Sequence, residues 1–118
     1  PDVHLDEIWQ LYKQRVQDEG LEWAAFGHIG NNHIHVNILP RNLSELEKGM
    51  GLYEEFATRA VALGGTVSAE HGIGKIKRKF MTLMYTPEQI EQMRLVKVAI
   101  DPQGLFNPQD MFLGEVAQ

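Results

Sequence analysis

A chain of 118 residues, 43% of them hydrophobic, is long enough to bury one core and too short for two ordinary ones, so one compact domain is expected. Eleven Lys and Arg against 16 Asp and Glu leave a formal charge of −5 and no sign of a basic, phosphate-neutralising face, which argues against nucleic acid as a partner. The absence of cysteine removes disulfides, thiolate metal sites and thiol catalysis together, so any metal must be held by His, Asp or Glu.

No apolar run approaches the roughly 18 to 20 residues that span a bilayer, and the first residues lack the basic-then-apolar pattern of a secretory signal. A soluble, cytoplasmic chain is expected, at most peripheral to a membrane. It starts at Pro1 and runs straight into a helical pattern, the expectation for a segment of something longer.

Leu5, Ile8, Trp9, Tyr12 and Val16 recur at helical spacing over residues 4–18, and Gly20 closes the segment. Two short strands are predicted next, at about 22–29 and 33–39. The second alternates Ile34, Val36 and Ile38 with His33, His35 and Asn37, so one face is apolar and the other carries chemistry. Asn42, with Glu45 three residues on, gives a capping-box-like start to the longest helix, whose Leu46, Met50, Tyr53, Ala57 and Ala60 lead to Gly64 and Gly65.

Thr66 to Ser68 reads as a short strand, and Glu70-His71-Gly72-Ile73-Gly74 as a shaped loop too rich in glycine for a regular element. A short basic helix is predicted over Ile76 to Tyr85, and Thr86-Pro87-Glu88-Gln89 starts another that runs to about Ile100. Asp101-Pro102 ends it, and Leu105-Phe106-Asn107-Pro108 opens an irregular tail expected to pack by its aromatic residues. The fold class is therefore α+β, an antiparallel hairpin packed with about four helices.

A two-residue turn at Asn31-Asn32 would pair Gly30 with His33 and set His28 directly opposite His35, with Cβ atoms about 4.5 to 5.5 Å apart. Asn37 would then face Phe26. Two imidazoles so placed can share a metal ion, and an open catalytic site usually adds a carboxylate. Glu70 is the candidate, beside His71, a base able to act on a hydroxyl. Each residue also has a plainer reading: a histidine on a half-buried strand is usually hydrogen-bonded structure, Glu70 a solvated loop carboxylate, and His71 a loop histidine of no special role. His33 reads as a spare polar residue beside Gly30, and His4 as helix surface.

Gly72-Ile73-Gly74-Lys75 has the look of a phosphate-binding loop, but its spacing would need Gly at 69 and Ser or Thr at 76, where Ala69 and Ile76 stand. His33-Ile34-His35-Val36-Asn37 is similar to the motif of histidine-triad nucleotide hydrolases, with Asn37 in the place of the third histidine. Such a hydrolase is one alternative; a non-enzymatic metal-binding module is another.

Read together, three blocks resemble the C-terminal domain of the FAD-linked oxidases. They are Gly27-His28-Ile29-Gly30-Asn31-Asn32-His33-Ile34-His35-Val36-Asn37; Gly64-Gly65-Thr66-Val67-Ser68-Ala69-Glu70-His71-Gly72-Ile73-Gly74; and Asp101-Pro102 with Leu105-Phe106-Asn107-Pro108. The family includes D-lactate dehydrogenases, the glycolate oxidase flavoprotein subunit and D-2-hydroxyglutarate dehydrogenase, and the resemblance reaches from about residue 22 to 112. It implies a fragment of a ferredoxin-like substrate domain in an FAD-dependent enzyme that oxidises a D-2-hydroxy acid to the 2-oxo acid.

By that resemblance His28, His35 and Glu70 would hold a divalent metal such as zinc, and Asn37 would contact the small 2-hydroxy-acid substrate. His71 would take the hydroxyl proton, and Asn107 would lie near the flavin. An FAD-binding domain would precede Pro1, an electron-acceptor protein or quinone would be a partner, and the 118-residue chain alone would not turn over. The family's turn usually reads Asp-Gly-Asn where this chain has Asn31-Asn32-His33; the first two changes keep tight-turn chemistry, and His33 is the departure. Unpaired hairpin edges would let two copies of the fragment associate.

Overall fold

The amphipathic repeat at the N-terminus folds as its spacing predicts. In the computed structural model, which describes residues 2–68, 70–108 and 110–112, a single 3-10 turn at Asp2–His4 leads into α1, Leu5–Asp18. The Gly20 N–H donates to the Gln17 carbonyl at 2.9 Å and the Leu21 N–H to that of Val16 at 3.2 Å, which folds the chain back over the buried end of the helix. His4, expected on the helix surface, precedes its first turn and meets the Glu7 carboxylate at 3.2 Å.

Strands β1, Trp23–His28, and β2, His33–Ile38, form an antiparallel hairpin, but with a register different from the one a two-residue turn would give. The connection uses four residues. Ile29–Asn31 make a 3-10 turn, and Asn32 follows in the left-handed region at φ 53, its N–H donating to the Ile29 carbonyl at 3.1 Å. The Asn32 side-chain amide also donates to the Asp2 carboxylate. His28 therefore faces His33 rather than His35, His35 faces Phe26, and Asn37 faces Ala24 rather than Phe26. A slip of two residues is one full pleat period, so every side chain keeps its face and only the partners change.

Glycine at position 27 permits this pairing. A Cβ there would collide with the His33 carbonyl oxygen, so only a residue without a side chain lets the strands close beside the His28–His33 pair.

Helix α2, Leu43–Ala62, begins at the expected cap, where the Asn42 side chain accepts from the Glu45 N–H at 2.9 Å. The reciprocal bond goes one residue further back, because the Glu45 carboxylate accepts from the Arg41 N–H at 2.9 Å and pairs with its guanidinium. Val16, Leu21, Leu52 and Phe56 form the buried core of this part, with Leu11, Tyr12, Trp23, Val36 and Ile38 packed around it. Tyr12 and Phe56 rings lie 4.5 Å apart and Trp9 and Trp23 rings 5.8 Å apart, geometries typical of favourable aromatic pairs. Arg15 donates from Nε to Glu55 at 2.9 Å and from Nη2 at 3.1 Å, tying α1 to α2. That pair is partly exposed, and exposed pairs contribute roughly 0 to 1 kcal/mol.

The chain divides into two compact units, one up to Thr66 and the other from Val67. At the boundary, residues 66–68 make no strand: the Val67 N–H donates to the Met84 sulfur at 3.4 Å rather than to a neighbouring strand. The basic helix expected over residues 76–85 forms in pieces, as α3, Gly74–Lys77, a 3-10 turn at Arg78–Phe80, and α4, Met81–Met84. Two sequence neighbours in this broken stretch, Phe80 and Met81, are both buried.

Helix α5, Pro87–Ile100, has the complete capping box that its sequence predicts: the Gln89 N–H donates to Thr86 Oγ1 at 3.3 Å and the Thr86 N–H to Gln89 Oε1 at 2.9 Å. At its far end buried Asp101 accepts from the N–H groups of Leu105 and Phe106, both at 2.9 Å, and pairs with Lys97. The following residues were expected to pack by their aromatic side chains, yet Leu105 and Phe106 are 68% and 67% exposed. Backbone bonds to Asp101, not apolar burial, shape that turn. The α+β architecture expected from sequence is the one observed, a hairpin with three long helices and two single-turn ones among the described residues. No described helix is long and apolar enough to cross a membrane.

Candidate functional site

Alternation along the hairpin sorts its side chains before any chemistry is considered. Trp23, Val36 and Ile38 pack on the core, so their neighbours Ala24, Phe26, His28, His33, His35 and Asn37 share the opposite face. His28 and Asn37 are exposed on that face, and His33 and His35 are half-buried.

The three imidazoles form a continuous row. The rings of His28 and His33 are 5.9 Å apart and those of His33 and His35 4.3 Å apart, while Phe26 stacks on His35 at 4.9 Å with an interplanar angle of 18°. The pairing brings a ring nitrogen of His28 and one of His33 within 4.8 Å of each other. His35, expected directly across from His28, is instead its diagonal neighbour. His33, read from sequence as a spare residue, holds the direct position. The one signal for that in the sequence is its place in the alternation with His35.

At the distal end of the hairpin a hollow of about 380 Å³ opens within the first unit. Leu5, Trp9, Phe26, Ile29 and Ile34 line it, and Asp6 and His33 contribute its polar edge. Its walls are mostly apolar, and His33 is the one imidazole of the row that borders it.

Glu70 and His71 occupy the loop of the second unit. Their carboxylate and Nε2 approach to 3.7 Å, and both residues are exposed. The loop is shaped rather than slack: Gly72 and Gly74 take left-handed backbone at φ 68 and 55, the Ser68 hydroxyl donates to the Gly72 carbonyl at 2.6 Å, and Lys77 donates to Ser68 Oγ at 3.2 Å. Asn107 also has left-handed backbone, at φ 44, immediately after the turn held by Asp101. Lys97 Nζ reaches both that carboxylate and the Phe106 carbonyl, the latter at 2.7 Å. The ammonium beside it holds the Asp101 carboxyl below its ordinary range, helped by the two backbone N–H donors and opposed by desolvation.

Neutral imidazole is a ligand for borderline divalent ions, and a carboxylate beside an imidazole orients a base. The hairpin face thus has the donor chemistry for a cation, and the 70–74 loop the chemistry for proton transfer.

The sequence of residues 1–111 matches the family of FAD linked oxidases, C-terminal domain, and the chain belongs to that family. Among curated relatives it is 35% identical over 91 residues to the glycolate oxidase subunit GlcD of Bacillus subtilis, covering 75% of this chain and 19% of that protein. It is 34% identical over 112 residues to a D-lactate dehydrogenase of Archaeoglobus fulgidus, covering 92% of this chain and 24% of the relative. Against a D-2-hydroxyglutarate dehydrogenase of Stutzerimonas stutzeri it is 33% identical over 112 residues, with 92% and 24% covered. The chain therefore spans about a fifth to a quarter of the length of these relatives. With the family shown, the histidine-triad alternative no longer accounts for the His33–Asn37 segment, which lies inside the matched domain.

Proposed function

We propose that this chain is the metal-bearing part of the substrate domain in an FAD-dependent dehydrogenase that oxidises a D-2-hydroxy acid of the lactate, glycolate or 2-hydroxyglutarate type to its 2-oxo acid. Membership of the family carries the reading, because relatives named for all three activities align over most of the chain. A cation, with zinc as the first choice, is assigned to His28, His35 and Glu70 on the strength of the sequence blocks. The donor chemistry fits, two of these residues being imidazoles on one face of a paired hairpin.

When bound, the flavin supplies a two-electron acceptor for the α-hydrogen, and the cation supplies positive charge that lowers the pKa of the substrate hydroxyl. His71 accepts the hydroxyl proton as the carbonyl forms. Asn37, exposed on the imidazole face, donates an amide hydrogen bond to the substrate carboxylate. Asn107 would help to hold the flavin. An acceptor protein or quinone would take up the electrons, and the two-stranded sheet of the described residues would let a second copy add a strand at its edges.

The test uses the full-length protein that contains this chain. Anaerobic mixing with D-lactate, glycolate or D-2-hydroxyglutarate should bleach the flavin absorbance with one of them, and His71→Ala should slow that bleaching about 10²- to 10⁴-fold, the usual range for a positioned base. A flavin left oxidised by all three acids would sink the assignment; bleaching at full rate in His71→Ala would remove the base from it.

A further inference from the structure

The loop that carries His71 is closed by side chains that the reaction above does not use. We infer that Lys77 and Ser68 are positioning residues for His71: the Lys77 ammonium orients the Ser68 hydroxyl, and that hydroxyl clamps the Gly72 carbonyl so that the segment between them keeps one shape. Their role deepens the proton-transfer reading of His71 and rests on it.

The two bonds run in one direction. Lys77 Nζ donates to Ser68 Oγ at 3.2 Å, and Ser68 Oγ donates to the Gly72 carbonyl oxygen at 2.6 Å. A hydroxyl has one proton and rotates to suit its surroundings, whereas an ammonium can only donate. With Lys77 on its oxygen, Ser68 turns its proton away from the ammonium, and the Gly72 carbonyl receives it. Hydrogen bonds in series polarise one another, so the cationic donor strengthens the second bond as well as aiming it.

The clamp brackets His71 in sequence, with Ser68 three residues before it and Gly72 directly after it. Left-handed backbone at Gly72, φ 68, and Gly74, φ 55, lets the chain reverse there and enter α3. The Lys77 N–H donates to the Ile73 carbonyl at 3.3 Å, which fixes the turn that carries the ammonium. Side chains on a helix tilt toward its N-terminus, so Lys77, at the last position of α3, reaches back over the loop. Ser68 and Lys77 are half-buried while His71 is exposed, so the ordered end of the arrangement is the clamp and the reacting end is the imidazole.

The first test needs no turnover: ¹⁵N relaxation of the 118-residue chain, unaltered and as Ser68→Ala, Lys77→Met and Ser68→Thr. Order parameters at residues 70–72 should fall from near about 0.85 to below about 0.6 in Ser68→Ala and fall also in Lys77→Met, while Ser68→Thr, which keeps the hydroxyl, and the amides of α5 stay ordered. The second is flavin reduction in the full-length protein. Ser68→Ala should slow it about 10²-fold, the cost of displacing a reacting group by about 1 Å, and Ser68→Thr should restore it. Because Lys77 acts through Ser68, the double variant should be no slower than Ser68→Ala alone; two independent effects would multiply. Unchanged order at residues 70–72, full-rate reduction in Ser68→Ala, or multiplied losses would each overturn the inference and leave the dehydrogenase reading standing. A flavin that no hydroxy acid reduces sinks that reading instead, and the relaxation data still judge the clamp.

Discussion

The hairpin and the 70–74 loop hold chemistry in opposite ways. His28, His33 and His35 stand on paired strands whose other face is anchored by Trp23, Val36 and Ile38 on the core. Glu70 and His71 stand on a loop whose shape rests on two left-handed glycines and the Ser68–Gly72 and Lys77–Ser68 bonds. Ladder-borne donors are placed by register, so they move together or not at all. Loop-borne groups are placed by a few local bonds and adjust singly, which suits ligands in the first case and an acid–base group in the second.

The sharpest way to break this contrast is through the core beneath the hairpin. Phe56 is 5% exposed and its ring lies tilted against that of Tyr12, so Phe56→Ala should cost about 3 to 5 kcal/mol. Both tryptophans, Trp9 and Trp23, lie in that unit, and their fluorescence in a urea titration reports the loss. A midpoint that does not move would mean the hairpin is not supported from below. Gly27→Ala acts on register rather than core. It should cost about 1 to 3 kcal/mol as an overpacked contact and abolish the cross-strand nuclear Overhauser effects between residues 28 and 33. Retention of those effects at full stability would show that the close approach does not set the register.

In the other unit the expected effects are smaller. Thr86→Ala removes one half of a capping box and should destabilise α5 by about 1 kcal/mol, seen as faster hydrogen exchange in its amides. Asp101 adds a pH signature. Because Lys97 and two N–H donors hold its folded pKa below the unfolded value of about 3.9, its stabilisation is complete above that value and fades as pH falls through the lower folded one. The Tm advantage of the unaltered chain over Asp101→Asn should therefore shrink on acidification. An advantage that grew toward low pH would reverse the sign of this account.

Much of the architecture was legible in local chemistry. Helical spacing located α1, Asn42 and Thr86 with their partners three residues on located the starts of α2 and α5, and alternation separated core from chemical face on β2. The errors share a cause. Residues 66–68 have strand-like residues but no partner strand, Leu105 and Phe106 are apolar but held by backbone bonds to Asp101, and the basic helix breaks where Phe80 and Met81 are buried together.

By itself, then, the sequence determined which residues share the hairpin face, because side-chain direction has a period of two and survives a slip of two. Which imidazole meets which was decided only in three dimensions. Asn31-Asn32 permits a two-residue turn, but the chain closes through four residues with Asn32 left-handed, a choice that goes with one contact from outside the hairpin, the bond from Asn32 to Asp2, and with the close approach of Gly27 to His33 within it. Local propensity allows several turns; packing and hydrogen bonding against the rest of the unit select one.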